Sequence, residues 1–357
     1  MLGRHCSIAI WVTVSLARTV CFASQETSLL FEELSMEALL DSAQQRIDSG
    51  QFEAAVPILR EVLSRDERHM LARKALIDVL MQLFRSNEAW SEAAILREQY
   101  PQDAQAAYMS AAVAFRRGEF QQASELAAQA IALDEEFTEA YRLRAFSFFL
   151  LKDYENYKSS LLKLLEKKPN DAEAYYHLGR YYYESDMFSD GAEAFRKATA
   201  LDPSLYKAYF FLGWCQQAGG DTEGAKQSFR ASTEVVQTSR VNYGWPFTDL
   251  GDLLVTEGLY EEGLGWLYRG VRNDPGLPYT HFKYAEALLK TEKSVEVEQH
   301  LKKAVELDPG YTQAYYLLGR YYTQSGERDK AKEALAKFQE LRKNPTVSPQ
   351  GVRRGDR

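Results

Sequence analysis

The stretch that decides the fold is residues 172–205, AEAYYHLGRYYYESDMFSDGAEAFRKATALDPSL. It spaces large apolar and small residues as two helices joined by a turn require, and Pro203 closes it because proline cannot continue a helix. The residues that define this pattern are Tyr175, Leu178, Gly179, Tyr182, Gly191, Phe195, Ala198 and Pro203. The stretch therefore predicts a helix-turn-helix unit of thirty-four residues.

The same pattern recurs every thirty-four residues in both directions. Downstream it returns as Tyr209, Leu212, Gly213, Ala225 and Phe229, and upstream as Tyr141, Ala145, Phe148, Leu161, Leu164 and Pro169. Self-similarity at a fixed period is the signature of a repeat array. Nine repeats result, with a four-residue insertion at 240–243. They are Met36–His69, Met70–Asp103, Ala104–Phe137, Thr138–Asp171, Ala172–Leu205, Tyr206–Ser239, Gly244–Leu277, Pro278–Tyr311 and Thr312–Pro345.

The small residues of the pattern have a physical purpose. Gly179, Gly213 and Ala198 let two antiparallel helices approach closely, while Tyr175 and Phe195 fill the space between them. One helix pair cannot bury its own apolar face, so neighbouring pairs must stack to complete the core. The sequence therefore predicts an all-α solenoid that curves into a superhelix.

This pattern resembles the tetratricopeptide repeat family over nearly all of the chain that follows the N-terminal segment. Residues 172–205 and 312–345 match the family pattern most closely. The resemblance implies a right-handed superhelical solenoid of tetratricopeptide-type helix-turn-helix repeats, and with it a protein that binds other proteins and catalyses no reaction. Repeat one departs from the pattern, with Glu67 where proline is usual and Pro57 inside its second helix, and repeat six has Gln237 in place of the closing proline.

The N-terminal segment is typical of an export signal. Arg4 and His5 precede a short apolar run at residues 7–17, and Ala23 offers a cleavage point. Arg18 leaves two alternatives open, an upstream start error or a retained anchor. We therefore expect a signal peptide at residues 1–23, a capping segment at 24–35, a disordered tail at 346–357, and an exported bacterial protein that is periplasmic or extracellular without stable membrane insertion after cleavage.

Composition narrows the functional classes further. The net charge of -8 argues against nucleic-acid binding, since phosphate contacts require a basic face. Cys215 is the one cysteine that would remain after signal cleavage, so no internal disulfide is expected. The histidines lack metal-ligand spacing, and residues 219–226, GGDTEGAK, lack the lysine position of a phosphate-binding loop. We expect no metal, no cofactor and no catalytic residues.

The inner face of each first helix is the predicted partner-binding groove. Because the core stripe occupies repeat positions four, seven, eight and eleven, positions two, five, six, nine, twelve and thirteen point to the concave side. Aromatic and cationic residues at these positions suit a peptide or protein partner. The candidates are Arg142, Phe146, Tyr176, Arg180, Tyr183, Lys207, Phe210 and Trp214. The alternative is that such large side chains only fill the inside of a tight superhelix.

The C-terminal end offers a second candidate surface. No capping helix follows repeat nine, so Leu335, Phe338 and Leu341 are expected to be partly uncovered. Self-association through this end is one interpretation, and a plain exposed end is the other. The leading hypothesis for function is a scaffold or adaptor that binds partners through the concave groove. The alternative is a non-catalytic regulatory or substrate-presenting subunit of an envelope enzyme complex.

Overall fold

The computed structural model describes residues 34–291 and 296–343, which contain eighteen α-helices and no strand. The helices are α1 (Met36–Asp48), α2 (Phe52–Arg65), α3 (Met70–Gln82), α4 (Ser86–Gln99), α5 (Ala104–Arg116), α6 (Phe120–Leu133), α7 (Thr138–Leu150), α8 (Tyr154–Lys167), α9 (Ala172–Glu184), α10 (Phe188–Leu201), α11 (Tyr206–Ala218), α12 (Thr222–Ser239), α13 (Trp245–Thr256), α14 (Tyr260–Asn273), α15 (Pro278–Lys290), α16 (Val297–Leu307), α17 (Thr312–Gln324) and α18 (Arg328–Lys343). The predicted signal peptide and disordered tail lie outside the described residues, as does most of the capping segment.

Within each of two compact bodies, every helix packs against the next in the chain, and some first helices of adjacent repeats also touch, as α3 touches α5 and α13 touches α15. The chain divides into two compact bodies, the N-terminal half (Met1–Lys167) and the C-terminal half (Lys168–Arg357). The predicted all-α solenoid of helix pairs is confirmed. The helix α2 continues through Pro57, so this proline does not end it.

Glycine allows the two helices of a repeat to approach as the sequence predicts. A methyl group at Gly179 would lie 2.7 Å from the Phe195 ring, and one at Gly213 would lie 2.6 Å from the Phe229 ring. Both distances are far below van der Waals contact between carbon atoms. The aromatic ring of the second helix therefore sits directly on the backbone of the first.

The turn between the two helices of a repeat contains a residue with positive φ. Glycine occupies this left-handed position in repeats one and three, at Gly50 and Gly118. Phe84 occupies it in repeat two with φ 57°, and Lys152 occupies it in repeat four with φ 60°. Since only glycine adopts this conformation without steric cost, the turn at Phe84 is strained.

The missing proline of repeat six has a visible consequence. The helix α12 is 18 residues long, whereas α10 of the preceding repeat has 14 and ends before Asp202-Pro203. Arg240 then takes φ 54° and ends α12. The next repeat begins only after the segment 240–243, whose Tyr243 side chain is buried.

Candidate functional site

The N-terminal half contains an open cavity of about 740 Å³ on the inner face of its first helices. Its walls come from α1, α3, α5 and α7, with Phe52 added from the start of α2. The wall residues include Ile47, Ala75, Asp78, Tyr108, Ala112 and Arg116. All six stand at the repeat positions that helical geometry assigns to the concave side.

Side-chain size explains why this cavity is open. Position nine of the repeat points into it, and repeats one to three have Gln44, Asp78 and Ala112 there. Ala75 and Ala112 are short, so apolar side chains such as Met81 and Phe115 form the walls without meeting in the middle. The cavity has the size and mainly apolar lining that are typical of a binding cleft.

The charges of this cavity are few and unneutralised. Asp78 is exposed on the cavity wall, and partial desolvation by its neighbours raises the pKa of its carboxyl above the ordinary 3.8. The described residues supply neither a hydrogen bond nor an ion pair to Asp78. Arg116 has no carboxylate partner among them either, and its guanidinium carbon lies 5.9 Å from the centre of the Phe84 ring. The burial of Tyr108 raises the pKa of its hydroxyl as well.

Sequence reasoning missed this cavity because it selected inner-face residues by their aromatic or cationic side chains. The geometric rule for the inner face was sufficient to find Asp78, Ala112 and Arg116. It becomes informative when it is combined with side-chain volume, since short residues leave space and long ones occupy it. The small side chains of Ala75 and Ala112 are the feature of the sequence from which the cavity could have been predicted.

The predicted groove residues lie in both halves. Arg142 and Phe146 are half-buried on α7 of the N-terminal half, next to Leu143 of the cavity wall. In the C-terminal half, Tyr176 and Arg180 are half-buried on α9, and Arg180 Nη1 donates to the Tyr176 hydroxyl at 3.4 Å.

Arg180 is held by further contacts. Its Nη2 donates to Glu184 Oε1 at 2.6 Å, and its guanidinium carbon lies 4.3 Å from the centre of the Phe211 ring. Burial raises the pKa of the Tyr176 hydroxyl beside it. This corner of the inner face is therefore a fixed arrangement of one cation and two rings.

The prediction that Tyr183 and Phe210 line an open face is wrong. Tyr183 is 1% exposed and Phe210 is 0% exposed. The Phe211 ring explains both, since its centre lies 5.3 Å from that of Tyr183 and 5.2 Å from that of Phe210. These rings belong to one aromatic core, so the alternative that large residues fill the inside holds for them.

Trp214 is half-buried and bound to a carboxylate of the next repeat. Its Nε1 donates to Asp249 Oδ2 at 2.9 Å, and the Tyr279 hydroxyl donates to Asp249 Oδ1 at 2.9 Å. Asp249 is 5% exposed. Its two hydrogen bonds link α11, α13 and α15. The Trp245 ring stacks on Tyr279 with their centres 5.1 Å apart. Of the predicted set, Lys207 is the residue classed as exposed.

The predicted C-terminal contact surface is partly covered. Leu341 is 6% exposed, so the expectation that it is uncovered is wrong. Leu335 and Phe338 are half-buried. Leu335 packs on the backbone at Gly319, and the Phe338 ring lies 5.2 Å from that of Tyr316. The last helix thus packs part of its apolar side against α17.

The described residues contain no group of three or more His, Cys, Asp or Glu side chains that could hold a metal ion. Cys215 is buried, and burial raises the pKa of its thiol to about 12, which favours the unreactive protonated form. The segment 219–226 forms the turn into α12, where Asp221 caps the helix by accepting from the Gly224 amide at 2.9 Å. Within the described part of the chain, no helix is both long and apolar enough to cross a membrane.

Comparison with known proteins supports tetratricopeptide repeats in this chain. Profiles of the tetratricopeptide repeat match residues 172–205, 207–233 and 288–346. Tetratricopeptide repeat protein 37 of Xenopus laevis is 26% identical over 126 residues, and these cover 34% of this chain. Anaphase-promoting complex subunit 3 of Dictyostelium discoideum is 33% identical over 75 residues, or 21% of this chain. Each match spans 8% of the relative's length.

Solved structures show the same fold. The C-terminal part of a TPR repeat-containing protein from Cytophaga hutchinsonii aligns with a TM-score of 0.54 at 13% identity, over 77% of this chain and 97% of that one. The APC/C hetero-tetramer Cut9-Hcn1 aligns with a TM-score of 0.50 at 17% identity, over 84% of this chain and 58% of that one. At these identities the likeness is one of fold, and function must be argued from the site.

Proposed function

We propose that this tetratricopeptide-repeat protein is a non-catalytic scaffold that holds a protein or peptide partner on the inner face of its first helices. The observation that carries the proposal is the open cavity of about 740 Å³ in the N-terminal half. The walls of this space are mainly apolar and open to water, so covering them with side chains of a partner is favourable. An apolar cleft with a few polar groups is suited to this role.

The half-buried residues of the predicted groove extend this proposal to a second surface. Tyr176, Arg180 and Trp214 keep part of their surface accessible, and Lys207 is exposed. In the N-terminal half Arg142 and Phe146 adjoin the cavity. Arginine and aromatic side chains dominate the energy of protein interfaces, and these are already fixed by internal contacts, so their ordering costs little on binding.

The proposal excludes nucleic acid as the partner and includes no cofactor. The chain has a net charge of -8, and the cavity wall in the N-terminal half contains one acidic residue, Asp78, and one basic residue, Arg116. If the captured partner is one enzyme whose rate changes on binding, the chain is instead a non-catalytic regulatory or substrate-presenting subunit of an envelope enzyme complex. Capture of several structural envelope proteins favours the scaffold.

Two further parts of the proposal concern location and assembly. We propose export to the periplasm or the medium, with cleavage after Ala23. N-terminal sequencing of the protein from envelope and culture fractions is expected to begin at Ser24, and an intact N-terminus would contradict cleavage. We also propose self-association through Leu335 and Phe338 at the C-terminal end. Sedimentation at several concentrations tests it, since a monomer throughout would exclude it.

Site-specific photocrosslinking tests the scaffold directly. A photoreactive amino acid replaces Ala112 on the cavity wall, and a matched control replaces Ala132, which is exposed on the second helix α6. In producing cells we expect a defined crosslinked species from position 112 that position 132 does not give. Ala112→Trp, which fills the cavity, is expected to prevent the partner from being captured while helical circular dichroism stays unchanged. Equal crosslinking from both positions would contradict an inner-face site.

A further inference from the structure

Asp78 is an uncompensated carboxylate in the cavity of the N-terminal half. Its neighbours on the cavity wall include Met81, Met109 and Phe115. Asp78 is exposed on the wall of this open cavity, so its charge is accessible to a partner, and the apolar walls strengthen an ion pair formed beside them. The described residues make no hydrogen bond to Asp78, so its carboxylate is available to a group from a partner.

The cations closest to Asp78 in the repeat pattern, Lys74 and Arg116, contact other residues. Lys74 precedes Asp78 by four residues on α3, a spacing that favours an ion pair within a helix. Its Nζ instead lies 3.3 Å from Asp103 Oδ1 and 2.8 Å from Gln105 Oε1. Arg116 also lines the cavity, but its guanidinium lies over the Phe84 ring. Among the described residues neither Lys74 nor Arg116 forms an ion pair with Asp78, so a cation from a partner can take this place.

Phe84 provides an independent observation at the same edge. It is 82% exposed, although it is a large apolar residue, and it holds a left-handed backbone conformation at a turn position that Gly50 and Gly118 occupy in repeats one and three. Apart from its contact with Arg116, an aromatic residue that is 82% exposed buries little apolar surface, and strained outliers of this kind concentrate at binding sites. Through Arg116 the Phe84 ring adjoins the cavity mouth.

Resting on the proposed function, we propose that the segment held in this cavity carries a lysine or arginine side chain between large apolar ones, and that this cation pairs with Asp78. The apolar side chains fill the cavity between Ile47 and Phe115 and cover Phe84 at its edge. The pairing neutralises a carboxylate that the fold leaves uncompensated, which gives the charge of the partner a direct effect on affinity.

Peptide display on the purified full chain tests this inference. Peptides are selected on the wild type and then measured by fluorescence anisotropy as labelled synthetic peptides. Variants with Lys, Gln or Glu at the enriched basic position are compared. We expect basic residues to be enriched, and Lys to bind about tenfold more tightly than Gln. Asp78→Asn is expected to abolish this preference, whereas Glu125→Gln, on the exposed side of α6, leaves it unchanged.

The outcomes separate this inference from the proposed function. Peptides that lose binding with Ala112→Trp show that the cavity binds partners. If these peptides have no basic preference, or retain that preference with Asp78→Asn, the inference is overturned. If no selected peptide depends on Ala112, both the inference and the inner-face site are overturned. Circular dichroism of each variant shows that it is folded, and Phe84→Gly is expected to weaken every cavity-dependent peptide.

Discussion

The inner faces of the two halves follow the same helical geometry, but one contains an open cavity and the other is filled by side chains. Position nine holds Ala112 in repeat three of the N-terminal half and Trp214 in repeat six of the C-terminal half. Around Ala112 a cavity of about 740 Å³ remains open. Trp214 instead spans to the next repeat and binds Asp249 at 2.9 Å. Periodicity thus determines where a side chain points, and its volume determines whether the space becomes a cleft or a core.

The contrast extends to what stabilises each half. Rings pack the interior of the C-terminal half, as where Phe195 stacks on Phe211 with centres 5.8 Å apart. In the N-terminal half the core relies more on alanine, with Ala111, Ala114 and Ala123 fully buried. Aromatic rings bury more surface than alanine and add ring-ring contacts. The C-terminal half therefore gains more stability from ring contacts in its core than the N-terminal half does.

The largest expected effect comes from breaking the carboxylate that links three repeats. Asp249→Ala leaves the Trp214 indole and the Tyr279 hydroxyl without this buried acceptor. We expect it to lower the free energy of unfolding of the C-terminal half by about 3 kcal/mol, since an unsatisfied buried donor costs about 1 to 3 kcal/mol. Urea unfolding with hydrogen exchange on peptides from each half measures the loss and its location.

Asp78→Ala is the matched change in the N-terminal half. Because Asp78 is exposed and makes no hydrogen bond or ion pair among the described residues, its removal is expected to alter stability by less than about 0.5 kcal/mol. Equal losses from Asp78→Ala and Asp249→Ala would contradict the division into an open and a filled inner face. A loss from Asp249→Ala spread evenly over both halves would contradict its assignment to the C-terminal half.

The sequence was sufficient to predict the fold because its signal is repeated. Gly179 and Phe195 define a pattern that recurs at Gly213 and Phe229, so chance matches are averaged out. The candidate site was harder to predict, because burial of an inner-face residue depends on neighbours from other repeats. Phe210 and Trp214 occupy concave positions by geometry, yet contacts with Phe211, Tyr243 and Asp249 decide how much of each is exposed.

A second contrast between the two halves is how their stability responds to acidic pH. In the C-terminal half, His281 and His300 are buried with their Nδ1 atoms 2.9 Å apart. His281 Nε2 donates to the Pro275 carbonyl oxygen at 3.1 Å, so His281 Nδ1 must accept and His300 Nδ1 must donate. Protonating His281 would set two N–H groups against each other. Burial lowers the pKa of both histidines below 6.5. The charge of Lys303 lowers the pKa of His281 further, whereas Asp274 and Glu306 raise it. Glu296 raises the pKa of His300.

The sign of the pH dependence follows from proton uptake. Because the unfolded chain binds protons at these histidines before the folded chain does, the C-terminal half loses stability as the pH falls below 6.5. The slope is at most about 1.4 kcal/mol per pH unit for each proton. Asp78 has a raised pKa, so the N-terminal half gains stability from it as the pH falls towards 3.8.

Urea unfolding at a series of pH values, with hydrogen exchange to separate the halves, measures both trends. Replacing the pair by His281→Gln and His300→Gln together is expected to flatten the decline between pH 6.5 and 5 in the C-terminal half. Asp78→Asn is expected to change only the response of the N-terminal half. A decline that persists in the double variant would show that other groups are responsible.

The smallest expected effect is a gain in the stability of the N-terminal half. Phe84→Gly relieves a left-handed backbone conformation, φ 57°, and removes a side chain that is 82% exposed. We expect the N-terminal half to gain about 1 kcal/mol in its free energy of unfolding, the usual cost of this conformation for a residue with a side chain. Gly118→Phe, at the same turn position of the next repeat, is the matched control and is expected to lose a similar amount.

Measuring stability and binding together makes Phe84 decisive for the comparison of the two halves. A residue that only supports the fold loses stability and binding together when it is removed. Phe84→Gly is expected to raise stability while it weakens peptides that depend on the cavity, because the strain is tolerated for the sake of the exposed ring. A gain in stability with unchanged affinity would leave the strained turn without a role in binding and limit the site to the cavity walls around Asp78 and Ala112.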